Sequence, residues 1–310
     1  MTAQLTRKYG LAVKAESTYA TDSVPTEANI INIWDLEIKI DQNKVELPYL
    51  RSTLSNSRAI IGYKQVNLTF NIAVKGSGTA GTAPESGQLF KIAKMSETVV
   101  AATRVTYSFD STSQASATVY LSLDQGLLKI VGCRGNWEIT GKGGDIAVCK
   151  FTVEGIYSAF VDSSLGVGTN LNTTLPPICK ATSFTLDSYA ASCSEIQFTS
   201  GNKLVRIPNI NATEGIGDIL ISEREPKCKL NVERVLEATN PYMADFIAGN
   251  QIDSSMVIGT AAGNICTITS RLAYDSLQFG VLEGTARWDI EARMFDETSQ
   301  GDTEFSMVFT

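Results

Sequence analysis

The feature that most constrains this chain is a two-residue hydrophobic alternation that returns along nearly its whole length. In residues 65–72, Val66, Leu68, Phe70 and Ile72 alternate with Gln65, Asn67, Thr69 and Asn71. Side chains of an extended backbone point alternately to its two faces, so this segment is expected to be a strand with one buried and one wetted face. The same pattern recurs in 36–40, 118–123, 148–153, 228–232 and 287–294, and alternation of this kind belongs to antiparallel sheet. Helical spacing occurs only twice. It runs through Leu89, Ile92, Ala93 and Met95 in 86–97, and through Met243, Phe246 and Ile247 in 241–249. The second has Asn240 placed to cap, Pro241 at the first helical position and Gly249 as a stop.

The order of these signals repeats. Ile38-Lys39-Ile40-Asp41, Val45-Glu46-Leu47-Pro48, the strand at 66–72, the helix near Leu89, a strand at Val119 and Phe151-Thr152-Val153-Glu154 form one series. Phe184-Thr185-Leu186-Asp187, Val205-Arg206-Ile207-Pro208, the strand at 228–232, the helix near Phe246, a strand at Cys266 and Ile290-Glu291-Ala292-Arg293 form a second. An ordered repeat of this period predicts two copies of one β fold. Segment 192–204, with Ser200-Gly201-Asn202 as its turn, reads as a hairpin peculiar to the second copy. The expected organisation is an extended arm at 1–33, a first β module at 34–160, a linker at 161–177 rich in Gly, Ser, Thr and Pro, and a second β module at 178–310, each module mainly antiparallel β with one short α-helix.

Composition removes most chemistry. No histidine occurs in 310 residues, which eliminates the commonest general base and metal ligand and every Ser-His or Cys-His pair. With 26 basic against 33 acidic residues the formal charge is −7, and no basic run offers the footprint that gripping nucleic acid requires. Six cysteines, at 133, 149, 179, 193, 228 and 266, form no C-x-x-C pair and read as buried, reduced thiols. Neither a signal-like apolar core in the first twenty residues nor a run long enough to span a bilayer is present, so the chain is expected to be made and kept in the cytosol, off the membrane.

Local motifs reduce to structure. Gly76, Gly78 and Gly81 satisfy G-x-G-x-x-G, but the glycines run into Thr82-Ala83-Pro84 rather than a helix inside a parallel βαβ unit, so 76–87 reads as a flexible loop. Asn67, Asn172 and Asn211 begin glycosylation sequons that a cytosolic chain does not use. Glu138, Glu154, Asp289 and Glu291 lie beside Lys150, Arg287 and Arg293, as on a solvated sheet face, so no catalytic residue is expected. Asp218, Asp253 and Asp275 are loop acids without a calcium-binding spacing, so neither a metal nor a cofactor is expected. Phe70, Tyr120, Phe151 and Trp288 fall on core parity, whereas Trp137 does not.

The stretch 11–33 followed by 60–72 and the 89–95 helix resembles the first half of the tail tube proteins of long, non-contractile-tailed bacteriophages. The second half, through 184–187, 205–208 and Ile221-Ser222-Glu223-Arg224-Glu225-Pro226, resembles the same family's second module, so the likeness covers nearly the whole chain. The resemblance implies two tandem β-sandwich or barrel modules and a structural virion protein. Its trimeric, pseudo-sixfold rings would stack into a tube through which the genome passes. Implied partners are further copies of itself, the tape measure protein, and the tail initiator and terminator. The protein would be made in the host cytoplasm and reside in the virion tail. Polar-parity residues expected to face the lumen are Asn67, Thr69, Asn71, Lys150, Thr152, Glu154, Lys229, Asn231, Glu233, Asp289 and Glu291, with any lysines offset by acids. Tyr19, Pro25, Ile30, Gly78 and Gly81 are expected to serve ring stacking, in an arm and a loop that order only on contact. The alternatives are another virion structural protein, such as a head–tail connector or capsid decoration, and a carbohydrate-binding β-sandwich.

Overall fold

The computed structural model describes residues 9–166, 171–180, 183–296 and 301–310. Residues 1–8 of the arm and 167–170 of the linker lie outside the described residues. The first half contains β1 (Tyr9–Ala15), β2 (Ile30–Ile31), β3 (Trp34–Glu46), β4 (Ala59–Ala73), α1 (Gly87–Ile92), β5 (Met95–Val100), β6 (Arg104–Phe109), β7 (Ala117–Leu123), β8 (Gly126–Lys142) and β9 (Val148–Val161). The second contains β10 (Ser183–Leu186), β11 (Tyr189–Ala190), β12 (Cys193–Thr199), β13 (Asn202–Pro208), β14 (Ile216–Arg224), β15 (Lys227–Glu233), α2 (Tyr242–Ala248), β16 (Ile252–Ile258), β17 (Cys266–Leu282), β18 (Thr285–Met294) and β19 (Phe305–Phe309). The architecture is mainly β and antiparallel, and each alternating segment forms the strand its periodicity predicts.

The two halves are wired in the same order. Pairings β1–β7, β7–β8, β8–β9, β9–β4 and β4–β3 have as counterparts β10–β16, β16–β17, β17–β18, β18–β15 and β15–β12. The match extends to individual rungs. Ile38 opposes Leu68 as Phe198 opposes Cys228, and Val45 opposes Ile60 as Val205 opposes Leu220. Phe70 opposes Phe151 as Leu230 opposes Ile290.

This register revises three expectations. Ile38 matches Phe198 rather than Phe184, because 183–186 pairs as the counterpart of β1; β7 matches β16 rather than the strand at Cys266. The third concerns 192–204, which is not a hairpin. β12 pairs with β15 and β13 with β14, so β12–β13 and β14–β15 form one long ribbon corresponding to β3–β4. Ser200-Gly201 is a kink in that ribbon. Gly201 has φ +62° and a Cβ there would stand 2.0 Å from the Glu225 carbonyl oxygen, so only glycine permits the ribbon to turn from the main sheet.

One hydrophobic core runs through both halves. Val66, Leu68 and Phe70 of β4, Phe151 and Val153 of β9, and Leu230 and Ile290 of β15 and β18 all belong to it and are essentially buried, each such side chain contributing roughly 1.5–3 kcal/mol. The halves are stitched by β12 on β8 and by β19, which pairs with both β17 and β6. Trp137 lies in this seam at 1% exposure, against Phe305 at 4.9 Å and Phe109 at 6.0 Å between ring centroids. Its core position differs from the sequence expectation because a register shift between Val131 and Arg134 resets the parity of β8.

The described arm enters the sheet at its two ends, through β1 and β2. β1 pairs along all seven residues with β7, and Leu11 and Ala12 are fully buried. Loop 76–87 is likewise packed: a Cβ on Gly76 would meet the Gly263 carbonyl oxygen at 2.1 Å, and the Gly78 N–H donates to that oxygen at 3.0 Å. Close approach of two backbones explains these glycines. Lys75, almost wholly buried, pairs with Glu85 at 3.2 Å and donates to the Asn172 carbonyl at 2.8 Å, tying the loop to segment 171–177. Both helices are shorter than expected. The first ends at Ile92, so Met95 opens β5. In the second, Pro241 occupies the N-cap position and makes no side-chain cap, the Met243 N–H donates to Glu237 instead, and Gly249 closes the helix with φ +66°. All six cysteines are free thiols, five of them buried.

Candidate assembly surface

Eight strands, in the order β3, β4, β9, β8, β12, β15, β18, β17, share one continuous face. Its composition follows from parity: when Leu68, Phe70, Val153 and Leu230 turn inward, the residues between them must turn out. The polar residues nominated from the sequence therefore meet as rungs. Asn67 opposes Glu154, Thr69 opposes Thr152 and Asn71 opposes Lys150. Lys229 opposes Glu291, Asn231 opposes Asp289 and Glu233 opposes Arg287. The strands between supply Asn136 opposite Thr152, Glu138 opposite Lys150, Thr140 opposite Gln197 and Lys142 opposite Glu195. Glu37 and Lys39 extend the face on β3, and Gln278 extends it on β17. The same alternation carried the additional residues of β3, β12 and β17 in the sequence, where only the path of the sheet was missing; those of β8 were also hidden by its register shift.

Charge on this face is mixed and locally compensated. Lys229 lies 2.6 Å from Glu291, whose carboxyl is held below its usual range by the hydrogen bond and charge of that lysine. Lys39 lies 3.1 Å from Asp41. The Asn231 amide donates to Asp289, and Lys150 stands across from Glu138. One part of the face is covered. The β13–β14 ribbon folds over β8 and β9, pairing Arg206 with Glu154 at 3.0 Å and Asp218 with Arg134 at 2.7 Å. Arg134 is 3% exposed and also donates to the carbonyls of Ile219, Gln114 and Ala115. Glu154 is thus a clamp residue as well as a member of the polar row.

The nominated stacking residues all engage other parts of the chain. The Tyr19 hydroxyl accepts from the Ile219 N–H at 2.8 Å, and burial, reinforced by the Asp218 charge, pushes its pKa up. Pro25 and Ile30 are buried. Gly78 and Gly81 lie hard against the backbones of Gly263 and Ala102.

The two end strands differ from the rest. Among the described residues β3 pairs on one side only, with β4, and presents Ile38 and Ile40 at 38% and 48% exposure. At the other end, β17 beyond Leu272 pairs among the described residues only with β18, leaving Phe279 and Val281 at 60% and 68%. These are unpaired strand edges flanked by apolar side chains, a combination that soluble sheets usually cover.

Among the described residues no helix is long and apolar enough to cross a membrane. A comparison with curated proteins gives no match. The family model described as phage tail tube protein matches residues 6–301. A mainly antiparallel β chain with a mixed polar face and two open edges accords with that match, and the chain belongs to the phage tail tube protein family.

Proposed function

We propose that copies of this structural tail protein join head to tail through the open edges of β3 and β17, closing rings that stack into the tail tube. The observation that carries the reading is the pair of free edges at opposite ends of one continuous polar face. A heterologous contact of this kind closes a ring when its rotation allows. The shared rung register supports an internal duplication, with the halves meeting at 161–177, and hence trimeric rings of pseudo-sixfold symmetry.

In this reading the polar face lines the bore. Its lysines stand beside acids, so duplex DNA would find few uncompensated cations and no basic track; phosphate contacts, each releasing counterions, are what make a surface adhere to DNA. The protein's role is to contain and conduct, with no reaction to perform. The tape measure protein would occupy the bore before the genome does, and the initiator and terminator would meet the end rings. Tyr19, Pro25, Ile30, Gly78 and Gly81 would serve stacking by holding the arm and the 76–87 loop in shape at the ring surface.

Negative-stain microscopy of the concentrated full-length protein tests this. Hollow rings or cylinders are expected. Solid fibres, or unassociated particles at every concentration, would contradict it.

A further inference from the structure

We infer that the ring contact copies, between neighbouring chains, the joint that β12 and the β13–β14 ribbon make on β8–β9 within one chain, with the Arg206–Glu154 ion pair reversed in sign. The inference rests on the ring reading above and assigns that contact a register and a recognition code.

The internal joint supplies the template. β12 lies on β8 with Phe198 opposite Ile139, Gln197 opposite Thr140 and Thr199 opposite Glu138. Phe198 and Ile139 are each 1% exposed. By rung matching, β3 is the counterpart of β12–β13, with Ile38 at the place of Phe198 and Glu37 at that of Gln197. In the same way β17 is the counterpart of β8: Trp137 opposes Phe151 as Leu277 opposes Ile290, and Ile139 opposes Cys149 as Phe279 opposes Trp288. Laying β3 of one copy on β17 of the next in the template register sets Ile38 opposite Phe279. Both residues are exposed in the single chain. The pairing would bury the apolar flank of both edges and satisfy their free backbone groups.

The ribbon gives a second, independent sign. Beyond its kink, β13–β14 reaches over β8–β9 and clamps it through Arg206–Glu154 and Asp218–Arg134. The counterpart of Arg206 is Glu46, since Arg206 opposes Ile219 as Glu46 opposes Ala59. The counterpart of Glu154 is Arg293, since Glu154 opposes Asn67 as Arg293 opposes Lys227. Each charge is inverted, and the pair is complementary again. Arg58, one residue outside the last β3–β4 rung, stands before Ala59 as Asp218 stands before Ile219. The place of Arg134 is taken by the buried Ala273, since Arg134 opposes Glu154 as Ala273 opposes Arg293, so this second pair is not repeated; Asp275, at the bulge that follows, sits 3.4 Å from Arg293 instead. Glu46, Arg58, Asp275 and Arg293 are exposed. The outer part of β3–β4, with Leu50 and Leu54 wholly exposed, would therefore lie over β17–β18 of the neighbouring copy.

Sign reversal also discriminates. A ribbon carrying Glu46 meets Glu154 if it docks on the wrong half, and like charges brought together at an interface disfavour that partner. The alternation of halves around the ring is thereby enforced.

Two measurements on the full chain test the inference. Glu46→Arg and Arg293→Glu, each alone, are expected to raise the concentration needed for tube formation by about fivefold or more, and the two together in one chain to restore it to within about twofold. Ile38→Cys and Phe279→Cys chains, mixed and oxidised, should give a disulfide-linked dimer that neither gives alone, since directly opposed strand residues lie within disulfide reach. Tubes that form normally while the double reversal fails to rescue, or the mixed dimer is absent, would overturn this register and leave the ring reading standing. Absence of rings and tubes from the unaltered protein would instead overturn the ring reading.

Discussion

Trp137→Ala is expected to lower the unfolding free energy by about 3–5 kcal/mol, the range for deleting a fully buried large aromatic side chain. The residue packs against Phe305 from β19 and Phe109 from β6, and Phe305 in turn meets Phe198 at 5.8 Å. Strands from both halves thus converge on one indole, and the cavity would open where the halves are stitched together. Surrounding β strands, held by ladders on each side, have little freedom to collapse into it. The indole N–H is buried with no hydrogen-bond partner among the described residues, so Trp137→Phe keeps most of the packing and removes a buried donor; a loss of about 1–2 kcal/mol is expected. Urea unfolding of the monomer gives both values. A loss below about 1 kcal/mol for Trp137→Ala would show that the seam carries little of the stability.

The second large effect concerns assembly and leaves folding intact. Phe279→Asp alters a side chain that is 60% exposed in the single chain, so thermal unfolding of the monomer should change little. In the ring the carboxylate would face the apolar Ile38 across the strand, with Arg234, 5.9 Å from the Phe279 ring in the single chain, beside it on its own sheet. Taking a charge out of water against an apolar partner costs several kcal/mol. Each 1.4 kcal/mol is a factor of ten in association, so the threshold for tubes should rise by roughly 100-fold or more. Sedimentation of the variant across a concentration series measures it. Tubes at the unaltered threshold would remove the β17 edge from the assembly contact.

What could be read from the sequence divides on physical lines. β4, β9, β15 and β18 each have one wet face and one dry face, so their alternation is visible directly. β1 is not visible, because Leu11, Ala12 and Val13 are all buried and a strand covered on both faces loses its period. In β8 the register shift between Val131 and Arg134 breaks parity, which hides the core position of Trp137. Ser200-Gly201-Asn202 has turn composition, yet whether such a step closes a hairpin or kinks a ribbon depends on partners distant in sequence, here β14 and β15. The repeat was legible as an order of elements, but its exact matching was not. Ile38-Lys39-Ile40-Asp41 and Phe184-Thr185-Leu186-Asp187 share a pattern any half-buried strand can have, and only the ladders distinguish them.

The candidate surface was legible in the same partial way. Parity identified the polar residues of four strands one strand at a time. That they form a single face required the β8–β12 joint, a contact between halves that no local pattern records.

Helical reconstruction of assembled tubes by cryo-electron microscopy, at a resolution that separates strands, tests the central claim most directly. The account predicts β3 of each copy hydrogen-bonded to β17 of the next, with Lys150, Lys229 and Asp289 facing the bore. A tube in which that face points outward, or in which the β3 edge is left open to solvent, would contradict it.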